Sequence, residues 1–338
     1  MTLSQYSKVF LPAIEKALQD SIAGFFPDKR YENLRHMMAY HLGWEGDGRG
    51  LAAQGKRIRP QVVLLCCEAA GGKWQNALPA AAAVELIHNF SLIHDDIEDR
   101  SDLRHGRKTI WAKWGDAQAV NTGDAMFTLA NLTLLGLNNS LPAEKVLAAG
   151  DLLQQTCFEL TQGQFLDISS EGEDLIPIDD YWPMIGGKTA ALLAGSAKLG
   201  AMVGGASEAQ LQAFHRFGYS LGLAFQAQDD ALGIWGNAAL LGKSIQSDLI
   251  DGKKTLPVVF ALQKNGLFAK RWLAGPITVD EIAQLAEQLR SEGAEEFTLS
   301  QVDRLTGEAL GALYEAVYDS DTRKVLEELA TKLLQRTY

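Results

Sequence analysis

Apolar residues recur three and four positions apart along most of the chain, which is the spacing of one face of an α-helix. The pattern is clearest over residues 8–22, 143–166, 209–227, 279–290 and 303–335. No stretch shows the sustained two-residue alternation of a half-buried strand, and no glycine-rich loop of the dinucleotide-binding kind is present. The pattern therefore predicts an all-α protein.

Short glycine-rich and polar runs interrupt the helical pattern. They are EGDGRG at 45–50, GG at 71–72, SSEGED at 169–174 and GG at 204–205, and each predicts a loop between helices. A chain of 338 residues often forms two domains, but none of these loops is long enough to be a linker. We therefore expect a single domain over 1–338, a large helical array with an oligomeric interface on an apolar helix face.

The chain is acidic, with 42 Asp and Glu residues against 31 Lys and Arg and a formal charge of −11. This balance argues against a nucleic-acid partner, because phosphate backbones attract clustered cations. Cys66, Cys67 and Cys157 show neither a disulfide framework nor metal-ligand spacing, which favours the cytoplasm. The N-terminal residues lack the pattern of a signal peptide, and charges interrupt every long apolar run, so no membrane span is expected.

The sequence FSLIHDDIED at 90–99 runs from apolar residues directly into carboxylates. If 79–99 form one helix, Asp95 and Asp99 lie one turn apart on the same face, with Asp96 about 100° around it. Like charges at this spacing repel, so a cation is a reason to keep them together, and oxygen ligands favour Mg²⁺. The alternative is a solvated helix end, but acidic residues favour the first turn of a helix rather than the last.

A second stretch, LAFQAQDDALGIWG at 223–236, repeats the arrangement with Asp229 and Asp230 after an apolar helical segment. Carboxylates on two facing helices would hold Mg²⁺ ions against a polyanion. Basic clusters accompany both motifs: GKRIRP at 55–60, RSDLRHGRK at 100–108, and GKKTLP at 252–257. GKRIRP is either a solvated loop or an anion site, and its guanidinium groups suit diphosphate oxygens.

These motifs resemble the trans isoprenyl diphosphate synthase (polyprenyl synthetase) family in order and identity. The resemblance rests on GKRIRP, ELIHNFSLIHDDIEDRSDLRHGRKT, GGKTAALL, FQAQDDALGIWG and GKSIQSDLIDGKKTLP, over roughly residues 50–260. It implies an all-α array around a deep apolar cavity, usually a homodimer. It also implies Mg²⁺-dependent, head-to-tail condensation of isopentenyl diphosphate with an allylic diphosphate.

The resemblance also implies roles for individual residues. The implied metal ligands are Asp95, Asp96, Asp99, Asp229 and Asp230. The implied contacts to isopentenyl diphosphate are Lys56, Arg59 and His88. The implied contacts to the allylic substrate are Arg104, Lys188, Thr189, Gln226, Lys243 and Lys253. His88 lies two helical turns before Asp95 on the same face, although a lone helix histidine is more often only a satisfied polar residue.

The chemistry explains this set of residues. Ionising an allylic diphosphate separates a carbocation from diphosphate, so about three Mg²⁺ ions with Lys and Arg side chains would stabilise the leaving group. Thr189 and Gln226 could turn oxygen dipoles toward the cation without capturing it, and with Lys188 and Arg104 they are the expected catalytic residues. The departing diphosphate would accept the proton, and an apolar tunnel would exclude water.

Phe90 lies five residues before Asp95, about 7.5 Å along the helix and roughly 140° around it, where it could form a tunnel floor that stops elongation. A plain core phenylalanine is the alternative. With Ser91 beside Phe90 and no insertion in DDIED, the region is most similar to geranylgeranyl diphosphate synthases. Farnesyl diphosphate is the nearest alternative product.

Two positions depart from the family pattern. His105 stands where a second arginine is usual, and Arg107 could substitute for it in binding isopentenyl diphosphate. Gly233 stands where the second motif usually ends in Asp, which could reduce metal affinity. Two other functions stay open: a class I terpene cyclase, which would not need GKRIRP or GKKT, and a non-catalytic subunit of a heteromeric prenyl synthase, which would lose acidic residues.

Overall fold

A computed structural model of the chain describes residues 1–26, 28–236, 247–318 and 320–334. Within these ranges the regular structure is helical, apart from one antiparallel pair of two-residue strands, β1 (Leu103–Arg104) and β2 (Arg107–Lys108). The predicted all-α fold class is therefore confirmed.

The helices of the described residues follow in chain order. They are α1 (Leu3–Phe25), α2 (Glu32–His41), α3 (Leu51–Gln54), α4 (Ile58–Ala69), α5 (Leu78–Glu98), α6 (Ile110–Trp114), α7 (Asp116–Leu134), α8 (Ala143–Glu171), α9 (Ile178–Ile185), α10 (Ala191–Gly204), α11 (Glu208–Trp235), α12 (Ser247–Ile250), α13 (Leu256–Lys264), α14 (Leu267–Trp272), α15 (Ile282–Ser291), α16 (Ala294–Ala316) and α17 (Asp321–Leu334). A π-helical turn, Gly186–Ala190, joins α9 to α10.

Two boundaries differ from the sequence pattern. The periodic stretch 303–335 is divided between α16 and α17, because Val317 takes an extended conformation that ends α16. The predicted loop at 169–174 begins later than expected, since α8 continues to Glu171. Within the described ranges, no helix combines the length and the apolarity that a bilayer crossing requires.

The chain divides into two compact units. The first comprises Met1–Gln154, Ser196–Leu211 and Ser320–Val325, and the second comprises Gln155–Gly195, Gln212–Asp319 and Leu326–Tyr338. The expectation of a single domain over 1–338 stays a prediction.

Helix α5 is the central helix of the first unit and packs against α1, α4 and α7. The consecutive residues Ala80, Ala81, Ala82 and Ala83 are fully buried, so α5 is covered on all sides over this stretch. A helix that is apolar all round is stable only in such a core. The packing therefore fixes the position of the polar residues at the end of α5.

An apolar cluster in the second unit holds the end of α11. Ile234 packs there with Val258 of α13, Phe268 of α14 and Leu289 of α15, all of them buried. This packing fixes the last two turns of α11, which carry the second acidic motif.

Candidate active site

The first acidic motif lies at the C-terminal end of α5, as the sequence predicted. The helix ends at Glu98, and the backbone N–H of Asp99 closes its last turn by donating to the carbonyl of Asp95 at 2.8 Å. Asp95 is half-buried and Asp99 is exposed, whereas Asp96 is only 1% exposed. The three carboxylates are therefore in different environments.

Asp96 is paired with Arg104 of the β1–β2 hairpin. The Nε atom of Arg104 donates to Oδ1 of Asp96 at 2.9 Å, and Nη2 of Arg104 forms an ion pair with the same oxygen at 2.8 Å. The second oxygen, Oδ2, is buried and has no hydrogen-bond partner among the described residues. Burial raises the pKa of Asp96, and the arginine opposes this only in part. Asp96 thus fixes the orientation of Arg104, the predicted ligand of the allylic diphosphate.

The oxygen donors at the end of α5 fit Mg²⁺ but do not enclose it. Among the described residues, no three His, Cys, Asp or Glu side chains come together closely enough to hold a metal ion. Mg²⁺ usually keeps several waters and takes one or two carboxylates plus substrate phosphates. The half-buried Asp95, the exposed Asp99 and the unsatisfied oxygen of Asp96 provide such a partial set.

Predicted contacts to isopentenyl diphosphate come together in the first unit. Nη1 of Arg59 lies 3.2 Å from Nε2 of His88, and because arginine can only donate, this ring nitrogen is the acceptor and His88 is neutral. Burial, followed by the charges of Arg59 and Arg104, lowers the pKa of His88 well below its usual value. Burial and nearby arginines also lower the pKa of His41 to about 3. No motif in the sequence marks His41 as a buried histidine with a lowered pKa.

The GKRIRP motif separates into residues with different surroundings. Lys56 is exposed, but Arg57 is buried and takes a left-handed conformation at φ 48°. Its Nε donates to Glu15 at 2.7 Å and its Nη1 donates to Glu85 at 2.8 Å. Arg57 therefore has a structural role, whereas Lys56 is exposed and Arg59 is half-buried.

Arg107 also has a structural role, which differs from its predicted contact with isopentenyl diphosphate. It is buried and donates to the main-chain carbonyls of Tyr40 at 2.7 Å, Glu45 at 2.6 Å and Asp47 at 2.9 Å. These bonds hold the loop that follows α2. The neighbouring His105 is exposed in the turn between β1 and β2, with φ 52°.

The predicted chain-length residue Phe90 is half-buried in an aromatic cluster between α5 and α7. Its ring centroid lies 5.3 Å from that of Phe127 and 5.4 Å from that of His94, both in edge-on geometry. The hydroxyl of Ser91 donates to the carbonyl of His88 at 2.8 Å, which is a local helix contact. Phe127 therefore supports Phe90, a relationship that the sequence did not indicate.

In the second unit, the GGKT sequence forms the π-helical turn that carries Lys188 and Thr189. Gly163 of α8 faces this turn, and a Cβ atom at Gly163 would lie 2.0 Å from the backbone nitrogen of Lys188. The Lys188 ammonium forms an ion pair with Asp167, also on α8. π-helical turns occur frequently at functional sites, and neither this one nor Asp167 was expected from the sequence.

Thr189 and Gln226, the predicted carbocation-facing pair, are hydrogen-bonded to each other. The Thr189 hydroxyl donates to Oε1 of Gln226 at 2.8 Å, and Nε2 of Gln226 donates to Oδ1 of Asp230 at 2.9 Å. The bond to Asp230 thus sets which way the Gln226 amide points. The hydroxyl hydrogen of Thr189 is therefore turned toward Gln226, and its oxygen lone pairs are turned away.

Both carboxylate oxygens of Asp230 accept hydrogen bonds. Its Oδ2 accepts from the Tyr181 hydroxyl at 2.6 Å and from the backbone N–H of Leu256 at 2.8 Å, in addition to the Gln226 bond. Burial raises the pKa of Asp230 to about 7, and these hydrogen bonds oppose the effect only in part. The contacts favour a positioning role for Asp230 over the predicted role as a metal ligand, whereas its neighbour Asp229 is half-buried.

Of the two remaining predicted lysines, Lys253 is more than half exposed, and its Nζ lies 3.8 Å from Oδ1 of Asp248. Lys243 lies outside the described residues.

Comparison with known proteins agrees with the motifs. The polyprenyl synthetase family model matches residues 49–288. The chain is 38% identical to a (2E,6E)-farnesyl diphosphate synthase of Mycobacterium tuberculosis over 91% of this chain and 88% of that protein. It is also 38% identical to a geranylgeranyl diphosphate synthase of the same organism, over 86% and 84% of the two chains. A crystal structure of a polyprenyl synthetase from Streptomyces coelicolor superposes with a TM-score of 0.87 at 34% identity, covering 98% of this chain and 99% of that one.

Proposed function

Because this chain belongs to the polyprenyl synthetase family, we propose that it is a prenyltransferase that condenses isopentenyl diphosphate with an allylic diphosphate to give a short-chain prenyl diphosphate. Synthases of this family generally depend on Mg²⁺ and use these two substrates. Relatives of nearly equal similarity are named as farnesyl and as geranylgeranyl diphosphate synthases, which supports a short product. We propose geranylgeranyl diphosphate, with farnesyl diphosphate as the alternative.

The observation that carries this proposal is the position of the acidic motifs on their helices. Asp95 and Asp96 lie in the last turn of α5, and Asp229 lies in the last two turns of α11. The C-terminal end of a helix carries partial negative charge and disfavours carboxylates, and bound cations would offset this repulsion. About three Mg²⁺ ions bound with the substrate would neutralise the leaving diphosphate.

Other residues of the chain would bind the two substrates and face the carbocation. Arg104, oriented by Asp96, and Lys188, paired with Asp167, would bind the allylic diphosphate. Lys56, Arg59 and neutral His88 would bind isopentenyl diphosphate, with the His88 ring directing the Arg59 guanidinium. Thr189 would present oxygen lone pairs to the developing carbocation, since its hydrogen is committed to Gln226. Apolar side chains around Phe90 would exclude water and limit the product.

A homodimer is supported by an apolar stripe on α8. Leu147, Phe158 and Phe165 are 76%, 65% and 68% exposed, and their spacings of 11 and 7 residues place them on one face of the helix. Exposed apolar stripes of this kind mark interaction surfaces, and a second copy of the chain is the partner that the family implies. The buried free thiols of Cys66, Cys67 and Cys157 support a cytoplasmic location.

The test is to incubate the purified protein with Mg²⁺, isopentenyl diphosphate and each allylic diphosphate in turn, and to measure product length by chromatography. Elongated prenyl diphosphates are expected. An Asp95→Asn variant prepared in the same way should lose the activity, which excludes a contaminating synthase. A cyclised hydrocarbon would indicate a terpene cyclase instead, and no product from folded protein would indicate a non-catalytic subunit.

A further inference from the structure

The β1–β2 hairpin, which carries Arg104, is joined to the C-terminal end of α2 by the side chain of Arg107. The two arginines stand directly opposite each other in the hairpin. All three nitrogens of the Arg107 guanidinium donate to main-chain carbonyls, those of Tyr40 at 2.7 Å, Glu45 at 2.6 Å and Asp47 at 2.9 Å. The side chain of Arg107 is therefore committed to contacts within the fold.

A second contact joins the same two elements in the opposite direction. The Tyr40 hydroxyl donates to the carbonyl of Lys108, the residue after Arg107 in β2, at 2.9 Å, and Cζ of Arg107 lies 4.0 Å from the centroid of the Tyr40 ring. Two glycines of the EGDGRG loop lie against this pair. A Cβ atom at Gly46 would lie 2.6 Å from the Tyr40 ring, and one at Gly48 would lie 3.2 Å from Cγ of Arg107. The loop is thus closed around the Tyr40–Arg107 contact.

The end of α2 is also bonded to the GKRIRP motif. Nη2 of Arg57, a residue that is 5% exposed, donates to the carbonyl of Leu42, the C-cap of α2, at 3.2 Å. The last carbonyls of a helix lack intrahelical partners and carry partial negative charge, so two guanidinium groups stabilise this end. Arg57 lies between Lys56 and Arg59, the proposed contacts to isopentenyl diphosphate. The end of α2 is therefore a common anchor for the two basic segments that would bind the two substrates.

Arg104 depends on this anchor for the position of its backbone. Its side chain is paired with Asp96 of α5, but its backbone belongs to a hairpin of two-residue strands. So short a hairpin is marginally stable by itself. Its position relative to the rest of the first unit therefore depends on the contacts that Arg107 and Tyr40 make.

We propose that Arg107 and Tyr40 are positioning residues for the allylic diphosphate, because they hold Arg104 at a fixed place relative to the isopentenyl diphosphate contacts. This rests on the proposed function, since it concerns the two substrates of that reaction. Arg107 then acts through the hairpin and not by touching isopentenyl diphosphate. Fixed spacing matters because a misplacement of about 1 Å between reacting groups can cost about a hundredfold in rate.

Tyr40→Phe tests the proposal directly, because it removes one hydroxyl and leaves every charge in place. KM for the allylic diphosphate that the parent elongates best should rise about threefold or more, as expected for the loss of one hydrogen bond, and KM for isopentenyl diphosphate should change less. Tyr6→Phe is the matched control. Tyr6 lies in the same unit, both tyrosines are 5% exposed, and the Tyr6 hydroxyl donates to Glu68 at 2.5 Å. This control should lower the melting temperature and leave both KM values unchanged.

Two substitutions of Arg107 separate geometry from charge. Arg107→Met should raise KM for the allylic diphosphate about tenfold or more, because it removes the bonds that hold the hairpin. Arg107→Lys should resemble Arg107→Met, since an ammonium keeps the charge but lacks the planar fork that reaches three carbonyls.

Hydrogen exchange of the hairpin tests the anchor without turnover. The backbone N–H of Thr109 donates to the carbonyl of Asp102 at 3.0 Å across the hairpin, and its exchange should be faster in Tyr40→Phe and unchanged in Tyr6→Phe.

The inference is overturned if Tyr40→Phe keeps the parent's KM for the allylic diphosphate, if Arg107→Lys keeps it, or if hairpin exchange is the same in Tyr40→Phe and Tyr6→Phe. A rise in KM for isopentenyl diphosphate alone in Arg107→Met would also overturn it, in favour of a direct contact. The proposed function fails separately, if the folded parent protein yields no elongated product.

Discussion

Arg104 donates a hydrogen bond from Nε to Oδ1 of Asp96 at 2.9 Å, and its Nη2 atom forms an ion pair with the same oxygen at 2.8 Å. Asp230 of the second motif likewise accepts a hydrogen bond from a predicted substrate contact. Gln226 is one of three donors to its buried carboxylate. In each motif the first aspartate, Asp95 or Asp229, is half-buried, whereas the second is buried and bonded to a predicted substrate contact. The first aspartate is thus suited to a metal and the second to positioning.

Asp96→Asn is expected to weaken allylic substrate binding more than metal binding. Removing the charge weakens the hydrogen bond and the ion pair that orient Arg104, and a charge-assisted bond contributes about 1.5–3 kcal/mol. We therefore expect KM for the allylic diphosphate to rise about tenfold or more. Steady-state kinetics with the allylic diphosphate and Mg²⁺ varied separately would measure both effects.

Asp99→Asn is the matched control, since Asp99 is exposed and four residues from Asp95. It should raise the half-saturating Mg²⁺ concentration and change KM for the allylic substrate less. Equal shifts of the Mg²⁺ requirement in the two variants would contradict the division between metal and positioning roles.

Phe90→Ala should lengthen the product. The substitution removes the ring that packs against Phe127 and His94, and the space released lies along the helix from Asp95. Phe127→Ala should also lengthen the product, but by less, because Phe127 acts only by packing against Phe90. Product length would be measured by chromatography after dephosphorylation, with Phe25→Ala, which alters a ring that is 48% exposed on α1, as the control. An unchanged length in Phe90→Ala would rule out the floor role.

Local sequence patterns predicted the helices of this protein better than they predicted the contacts between residues distant in sequence. The helix carrying Asp95 was expected over 79–99 and is found at Leu78–Glu98, because apolar periodicity and the change to acidic residues are both local signals. The resemblance also paired Thr189 with Gln226 as carbocation-facing residues, and they are hydrogen-bonded. These features need only the order of residues along the chain.

The missed features depend on contacts between distant residues. Tyr181 donates to Asp230 across 49 positions, and nothing in either sequence neighbourhood indicates the pair. Arg57 and Arg59 lie two residues apart in one basic motif, yet the backbone at Arg57 is left-handed and its side chain bonds to Glu15 and to the buried Glu85. The sequence motif does not distinguish the roles of these two arginines, which differ only in their three-dimensional packing.

His88→Gln should reduce the loss of stability in mild acid. The pKa of His88 is lowered in the folded state, so below about pH 6.5 the unfolded chain binds a proton that the folded chain excludes. Stability is therefore retained above pH 6.5 and falls as the pH decreases, by at most about 1.4 kcal/mol per pH unit for one histidine. Urea unfolding of the parent and variant between pH 7 and pH 5 would measure the slopes.

His41 has the same sign of effect, because burial lowers its pKa to about 3. The stability of a His41→Gln/His88→Gln double variant should therefore depend even less on pH over this range than that of His88→Gln. Parallel slopes in the parent and both variants would show that neither histidine excludes a proton in the folded protein.

Arg57→Met and Arg59→Met should separate stability from substrate binding. Arg57 and Glu85 have side chains only 3% and 5% exposed, so removing the arginine leaves a buried carboxylate unpaired, at a cost of about 3–5 kcal/mol. Adding Glu85→Leu should recover part of this stability, since an apolar pair can replace a buried ion pair. Arg59→Met should cost less stability and raise KM for isopentenyl diphosphate, because it removes the donor next to His88. Chemical unfolding and steady-state kinetics on the same preparations would decide the assignment, which fails if Arg57→Met keeps the parent's stability and Arg59→Met keeps its KM.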